Sequence, residues 1–473
     1  MLKSKIRYVL MDLRYKSKRS EVFFYFVYLF IDFFRKIKKH LMRAKVSHPQ
    51  NTICALPWTH FYANEFGQNF PCCISPDTRL PNMNSLGQKF FVYEPGHIEK
   101  AWNSGYMKDI RKKMLNGKQP APCEKCYKME ELGGISHRQQ SNEKWQGHLT
   151  QALKTTQPDG SAPFKIYSAD IRLGNLCNLK CRMCSPVSSK GLINEWKRIH
   201  GMPEFEAKKF ADLDWFEKPQ FWEMFLKYSD DLQSLHFAGG EPFVIEQHFT
   251  FLRRLVESSK SHRISLTYNT NLTVLPEELL TLWQSFKSVQ VMISVDGLEQ
   301  VNHYIRYPSN WSKIQHNIQH LHDNLQKYRI EYLGFNITVQ AYNVFDTMKL
   351  IDFLTTQYPH AHFPNLSLLF GPEELSLQVL PEAMKAELTL LWNLFIEERK
   401  AAWVKKARQP SEAQTLIHNA QAIVEFMNKK DRSDLLPHFK MRTKAYDASR
   451  HQSCANAVPE LASLFPDSRP PTP

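Results

Sequence analysis

Between residues 164 and 372, short β-branched and aromatic runs alternate with stretches whose apolar positions recur every three or four residues. The first kind predicts strands at Lys165–Leu173, Ser234–Phe237, Ile264–Asn269, Val289–Ser294, Tyr332–Thr338 and Asn365–Phe370. The second predicts helices at Gln247–Ser258, Glu277–Phe286, Ser312–Tyr328 and Phe345–Gln357. Strand, helix and strand repeated in this way imply parallel βαβ units, an α/β fold. Six such strands fit a partial (β/α)6 barrel better than an eight-stranded one, although an open sheet has the same alternation.

The flanks read differently. Residues 49–150 are rich in Pro, Gly, Asn and Cys, and helical periodicity is confined to about Ile98–Leu115. This predicts a small loop-rich domain of the kind that needs a metal or disulfide staple. After Gly371 the chain has no glycine, and Pro381–Ala407 and Ser411–Asn428 carry helical periodicity, so 373–465 reads as a helical C-terminal region. The tail 466–473 holds four prolines and should be disordered.

Residues 1–48 contain 13 Lys/Arg against 3 Asp/Glu, ten of the fourteen net positive charges of the 473-residue chain. The rest is near neutral, so basicity does not imply a nucleic-acid surface, and RNA modification is a weak reading. The same segment holds the apolar run Val22–Ile31, too short to span a membrane and without a small-residue cleavage site after it. A basic aromatic helix of this kind suits a membrane interface, at the inner face of the membrane of a cytoplasmic protein, or docking on the protein's own body.

Nine cysteines sit at 54, 72, 73, 123, 126, 177, 181, 184 and 454. With no sign of secretion, their clustering points to metal ligation rather than to a disulfide framework. Cys177, Cys181 and Cys184 form a C-x3-C-x2-C loop immediately after the first core strand. Three thiolates can hold three irons of a [4Fe–4S] cube and leave the fourth open to a non-protein ligand, whereas a closed structural site wants four.

This loop resembles the signature of the radical S-adenosylmethionine (SAM) enzymes, in which the open iron is chelated by the methionine part of SAM. The resemblance covers residues 164–372, the expected radical SAM core. Met183 stands where that family places a bulky residue near the adenine. Gly239-Gly240-Glu241-Pro242 resembles the family's GGEP turn, which binds the SAM amino group, and a carboxylate beside two glycines suits an ammonium. Tyr268-Asn269-Thr270-Asn271 resembles TNG, with Asn271 in place of glycine. Ser294-Val295-Asp296-Gly297 resembles the SxDG motif, and the family uses this Ser294 with a following Arg306 around the SAM ribose and carboxylate. Gln340, ending the fifth core strand, is a further candidate. All lie at predicted C-terminal strand ends, where barrel active sites are built.

Upstream, Cys54, then Gly67-x4-Cys72, then Cys123-x2-Cys126 resemble the auxiliary-cluster domains of the SPASM/twitch subgroup, although this block precedes the core. The resemblance implies a second [4Fe–4S] cluster on Cys54, Cys72, Cys123 and Cys126, with Cys73 spare or replacing Cys72. A tetrathiolate zinc site has the same pattern. His60 and His137 read as surface or packing histidines, and Cys454 as a buried or free thiol.

The resemblance implies an oxygen-sensitive enzyme. SAM would be cleaved reductively to a 5′-deoxyadenosyl radical that abstracts a substrate hydrogen, with the electron coming from an external one-electron donor. The subgroup favours peptide or protein modification, with oxidation of a sugar, nucleotide or other small molecule as the alternative. A non-catalytic iron–sulfur or zinc scaffold is the rival from another class, although a scaffold has no use for the Gly239–Pro242 turn or for Arg306. No catalytic acid, base or donor thiol stands out in the sequence.

Overall fold

A computed structural model describes residues 52–75, 82–131 and 133–466. The basic segment 1–48 and the tail 466–473, save its first residue, lie outside the described residues, as do the expectations made for them. Among the described residues, no helix is long and apolar enough to cross a membrane.

One mixed α/β sheet organises the chain. Its strands are β1 (His60–Ala63), β2 (Asn69–Phe70), β3 (Ser168–Leu173), β4 (Ser234–Gly239), β5 (Ser265–Thr270), β6 (Ser288–Ser294), β7 (Ile330–Val339) and β8 (Asn365–Leu368). They lie in the order β2-β1-β3-β4-β5-β6-β7-β8, all neighbours parallel except the β1–β2 hairpin. The last six are the strands that the sequence pattern predicts, each within a few residues of its expected ends. The connecting helices Glu246–Glu257, Glu277–Trp283, Trp311–Asp323 and Asp346–Gln357 likewise fall where periodicity places them.

Strand register explains why these runs become strands. Side chains alternate between faces, so residues in register across neighbouring strands share one face. Ile171, Phe237, Tyr268, Val291 and Leu333 form one such row, and all are buried beneath the helices. The opposite face is polar: Tyr62, Asp170, His236, Thr267 and Gln290 form a row, with His60, Ser168, Ser234, Ser265 and Ser288 one step below. Across this face Asp170 pairs with Arg172 at 3.0 Å and with His236 at 3.3 Å, and His236 reaches Asn269 at 3.0 Å.

The cysteine-rich block is joined to this sheet. Its strand β1 pairs in parallel with β3 from His60↔Ser168 to Ala63↔Ile171. The helices His137–Lys144 and Gln146–Thr155 lie at the N-terminal ends of the strands. There Lys144 donates to Ser234 (3.2 Å), and His148 stacks on Tyr167 at 3.8 Å. At the other edge the helices Glu382–Lys406 and Pro410–Lys429 pack on each other, and the second packs on β8. The helix Leu436–Arg450 returns to the C-terminal ends of the strands.

Arg111, buried on the helix Gly105–Leu115, ties together the segments that lead into β1 and β3. Its guanidinium donates to the carbonyls of Pro57 (2.9 Å) and Gly160 (3.3 Å) and to Asn103 (2.9 Å), and lies against the rings of Trp58 and Trp102. Arg111→Ala strips two buried carbonyls of their donor, each worth about 1–3 kcal/mol. Chemical denaturation should show a loss of about 3 kcal/mol or more, and a loss under about 1 kcal/mol would mean that other contacts hold these segments.

Candidate iron–sulfur and S-adenosylmethionine site

The loop that follows β3 is fixed from both sides. Asn175, buried at its base, donates to the carbonyls of Pro186 (2.7 Å) and Phe210 (2.8 Å). Further on, the amides of Lys180 and Arg182 donate to the carbonyls of Tyr307 (2.6 Å) and Ile305 (2.8 Å), so the loop pairs with the segment that carries Arg306. Asn175 and Arg182 escape a reading based on cysteines alone.

Glycines at the end of β4 let a second turn press on this loop. Gly239 has φ of 107°, and a Cβ there would lie 2.6 Å from the Leu173 amide nitrogen. A Cβ on Gly240 would run into the Leu176 carbonyl. The close approach that requires these glycines is therefore to the cysteine loop's own backbone. The Glu241 amide completes the contact by donating to Leu176 O at 2.7 Å.

All three thiols of the loop are drawn toward one another. Cys184 hydrogen-bonds to the buried Cys181, which pushes Cys184 well up and draws the acceptor Cys181 down. Burial, reinforced by Cys181, pushes Cys177 up to about 12. The Leu179 amide points at Cys177 Sγ (3.4 Å), and the Asn271 side chain lies 3.9 Å from it. Asn271 also donates to Asn178 at 2.9 Å, so the departure from glycine at this position links the β5 end to the cysteine loop.

Glu241 is buried and accepts from Phe243 N (3.1 Å), Thr270 Oγ1 (2.7 Å) and Asn271 N (2.6 Å). Burial outweighs these donors and pushes its carboxyl up to about 7. Two carboxylate oxygens offer about four acceptor positions, so one remains for a further donor. Pro242 opens the short turn that Glu241 caps. Arg306 Nε meets Asp296 Oδ2 at 2.7 Å, and Asp296 Oδ1 accepts from Thr338 N at 2.7 Å. Asp296 is fully buried, and its role as holder of Arg306 was not assigned from its motif. Ser294 ends β6 one strand from Thr270 and Asn271. Gln340, beyond β7, is fully buried with neither side-chain oxygen nor nitrogen partnered. Met183 is half-buried and packs against the core beside Cys184.

These features fit the implied group: three thiols on one loop, a carboxylate with a spare acceptor position, a held guanidinium and an orphaned carboxamide, all at C-terminal strand ends. Among the described residues, no group of three or more His, Cys, Asp or Glu side chains stands close enough as it lies to hold a metal ion.

The upstream cysteines gather separately. Cys54, Cys72 and Cys123 share one apolar cluster with Trp58, Met107 and Met114. Burial pushes Cys54 and Cys72 up to about 12 and raises Cys123 and Cys126; for Cys72 and Cys123, the neighbouring thiols raise it further. Four thiols in this arrangement stay protonated unless a cation draws off their protons, and a metal does so. Cys73 faces elsewhere, its sulfur 3.9 Å from His137 Nε2 and within the field of Asp170 and Arg172. Flanking residues hold the Cys54 backbone in place. Arg138, paired with Glu130 at 2.5 and 2.9 Å, donates to Ile53 O (2.6 Å), and Asn142 bridges Ile53 O and Ala55 N. His60 hydrogen-bonds Ser168 (2.8 Å) away from these sulfurs. Cys454 is buried and belongs to neither set.

Residues 171–348 match the Radical SAM superfamily. No curated protein matches the chain. Solved structures that match include SuiB of Streptococcus suis bound to S-adenosylmethionine, at 14% identity and a TM-score of 0.30, covering 62% of this chain and 64% of that one. SuiB bound to the precursor peptide SuiA also matches, at 14% identity and a TM-score of 0.30, covering 65% and 64%. A third, SuiB alone, matches at 13% identity and a TM-score of 0.31, covering 72% and 68%. The chain thus spans just under two thirds of the first two of these chains. The strand-end constellation and the superfamily match fall on the same stretch of sequence: the chain carries a radical SAM superfamily domain.

Proposed function

We propose that the chain cleaves SAM reductively at a [4Fe–4S] cluster held by Cys177, Cys181 and Cys184, and uses the resulting radical to modify a peptide or protein. The observation that carries this reading is the position of the three-cysteine loop, at the C-terminal end of β3 within the matched residues 171–348. When bound, the cluster and SAM supply a 5′-deoxyadenosyl radical that abstracts a substrate hydrogen atom, at the expense of an electron from an external donor.

The protein's part is to bind and orient. Glu241 accepts from the SAM ammonium at its spare position, and Asp296 holds Arg306 toward the carboxylate. Ser294, Asn271 and Gln340 supply polar contacts, Met183 lies beside the adenine, and Gly239, Gly240 and Pro242 shape the turn. Strands β3–β8 form a partial (β/α)6 barrel over 164–372, preceded by a twitch-like domain at 49–150 and followed by a helical region at 373–465. Cys54, Cys72, Cys123 and Cys126 hold a second [4Fe–4S] cluster there; three of the four share one apolar cluster, Cys126 lies within the field of Cys54 and Cys123, and Cys73 faces His137. The SPASM/twitch resemblance of this quartet supports the peptide substrate, and oxidation of a small molecule is the alternative.

Metal content tests the second cluster. Protein with Cys177, Cys181 and Cys184 all replaced by Ala and reconstituted anaerobically should keep about four irons, the content of one cube. Stoichiometric zinc without iron in that variant would assign a zinc site instead.

Titration tests Glu241. Its carboxyl is raised to about 7 in the free protein, and the SAM ammonium binds the ionised form. Below that pH, binding must first release a proton. Affinity for SAM should therefore be flat above about pH 7 and fall roughly tenfold for each unit below it, a linkage effect. Glu241→Gln should keep its iron, weaken SAM binding by roughly 30-fold or more, and lose this pH dependence. An unchanged pH profile in that variant would reduce Glu241 to a turn cap.

A further inference from the structure

Arg182 sits between Cys181 and Met183, and only 1% of it is exposed. A guanidinium this deeply buried is costly unless it is paired and hydrogen-bonded, so its partners dictate where the loop can lie. One partner is local: Nε donates to Tyr304 O at 2.8 Å, and the guanidinium carbon lies 3.6 Å from the Tyr304 ring centroid. The others come from the far end of the chain. Nη2 donates to Asp447 Oδ1 at 2.6 Å and to Gln452 Oε1 at 3.0 Å.

Asp447 is itself fixed. It accepts from Tyr304 Oη (2.8 Å) on Oδ1 and from the Cys454 amide (2.8 Å) on Oδ2. Its helix, Leu436–Arg450, grips the loop at further points. Arg442 Nη2 donates to the Arg182 carbonyl at 2.8 Å. Arg450 makes a buried two-point pair with Glu195 (2.8 and 3.0 Å) on the helix Ile193–His200, which leaves the loop. Tyr304 lies two residues before Arg306, so the same contacts reach both the cysteine loop and the Arg306–Asp296 pair.

We infer that Asp447, on the C-terminal helix, is a positioning residue for the SAM cluster: it holds Arg182 and through it sets the spacing of Cys181 and Cys184. The inference rests on the reading of Cys177, Cys181 and Cys184 as cluster ligands. The helix buries Phe439 and Tyr446, as any covering helix would. In addition Asp447 and Arg442 bind the side chain and the carbonyl of one loop residue between two ligands, as outer-shell partners of a metal site do.

Asp447→Asn tests this in the full-length protein, reconstituted anaerobically. The control is Thr443→Val, on the same helix, which removes the 2.7 Å bonds of its hydroxyl to Tyr342 and to the Phe439 carbonyl and touches neither Arg182 nor Asp447. Removing an outer-shell partner costs about tenfold or more in metal affinity, so Asp447→Asn should lose iron to a chelator about tenfold faster than wild type. The electron paramagnetic resonance signal of the reduced cluster, and its change on adding SAM, should also differ from wild type. Thr443→Val should match wild type in both, even where the two variants melt at similar temperatures. Gln452→Ala, which removes the other acceptor with less risk to folding, should shift both readouts in the same direction by less. Wild-type chelation and spectra in Asp447→Asn, or equal changes in the Thr443→Val control, overturn the inference. Retention of all iron by the Cys177/Cys181/Cys184 triple-Ala protein overturns the ligand assignment instead.

Discussion

The parallel pairing of β1 with β3 is the constraint on which the rest of the arrangement depends. Cys54 precedes β1 and the three-cysteine loop follows β3. Because the two strands run the same way, the two sets of thiols are sent to opposite ends of one sheet. β3 is six residues long, roughly 20 Å at the rise of a strand, so the sets are kept well apart. Between them lies the polar face that carries Asp170, Arg172, His236 and Asn269. An antiparallel pairing would have put both sets at one end and left this face without a centre at each side.

The six core strands were legible because each is short, rich in β-branched or aromatic residues, and followed by a helix of clear period. The candidate site is proposed from features that are local in sequence: three cysteines in eight residues, or GGEP at a strand end. β1 and β2 were not legible. They have four and two residues, and β1 owes its strand conformation to a partner about a hundred residues later. Tertiary pairing of that kind leaves no trace in a local window.

The choice between Cys72 and Cys73 shows the same limit in miniature. The two lie in a bend and turn just after β2, where one sulfur joins Cys54 and Cys123 while its neighbour faces His137. Composition cannot say which. Asp296 lies within the SxDG-like motif, but its hold on Arg306 and on the Thr338 amide depends on β6 and β7 lying side by side.

The distances along the chain have a consequence for synthesis. A ribosome adds about 5–20 residues per second, so β1 waits roughly 5–20 s, the time to make some 110 residues, before β3 emerges beside it. Asp447 lies 265 residues after Arg182, which adds roughly 13–50 s before the buried guanidinium meets its carboxylate. The cysteine-rich block is thus the first part of the described chain to emerge, and the loop between Cys181 and Cys184 is among the last to be locked. The charge at the centre of that loop therefore finds its counter-ion only after Asp447 has been made.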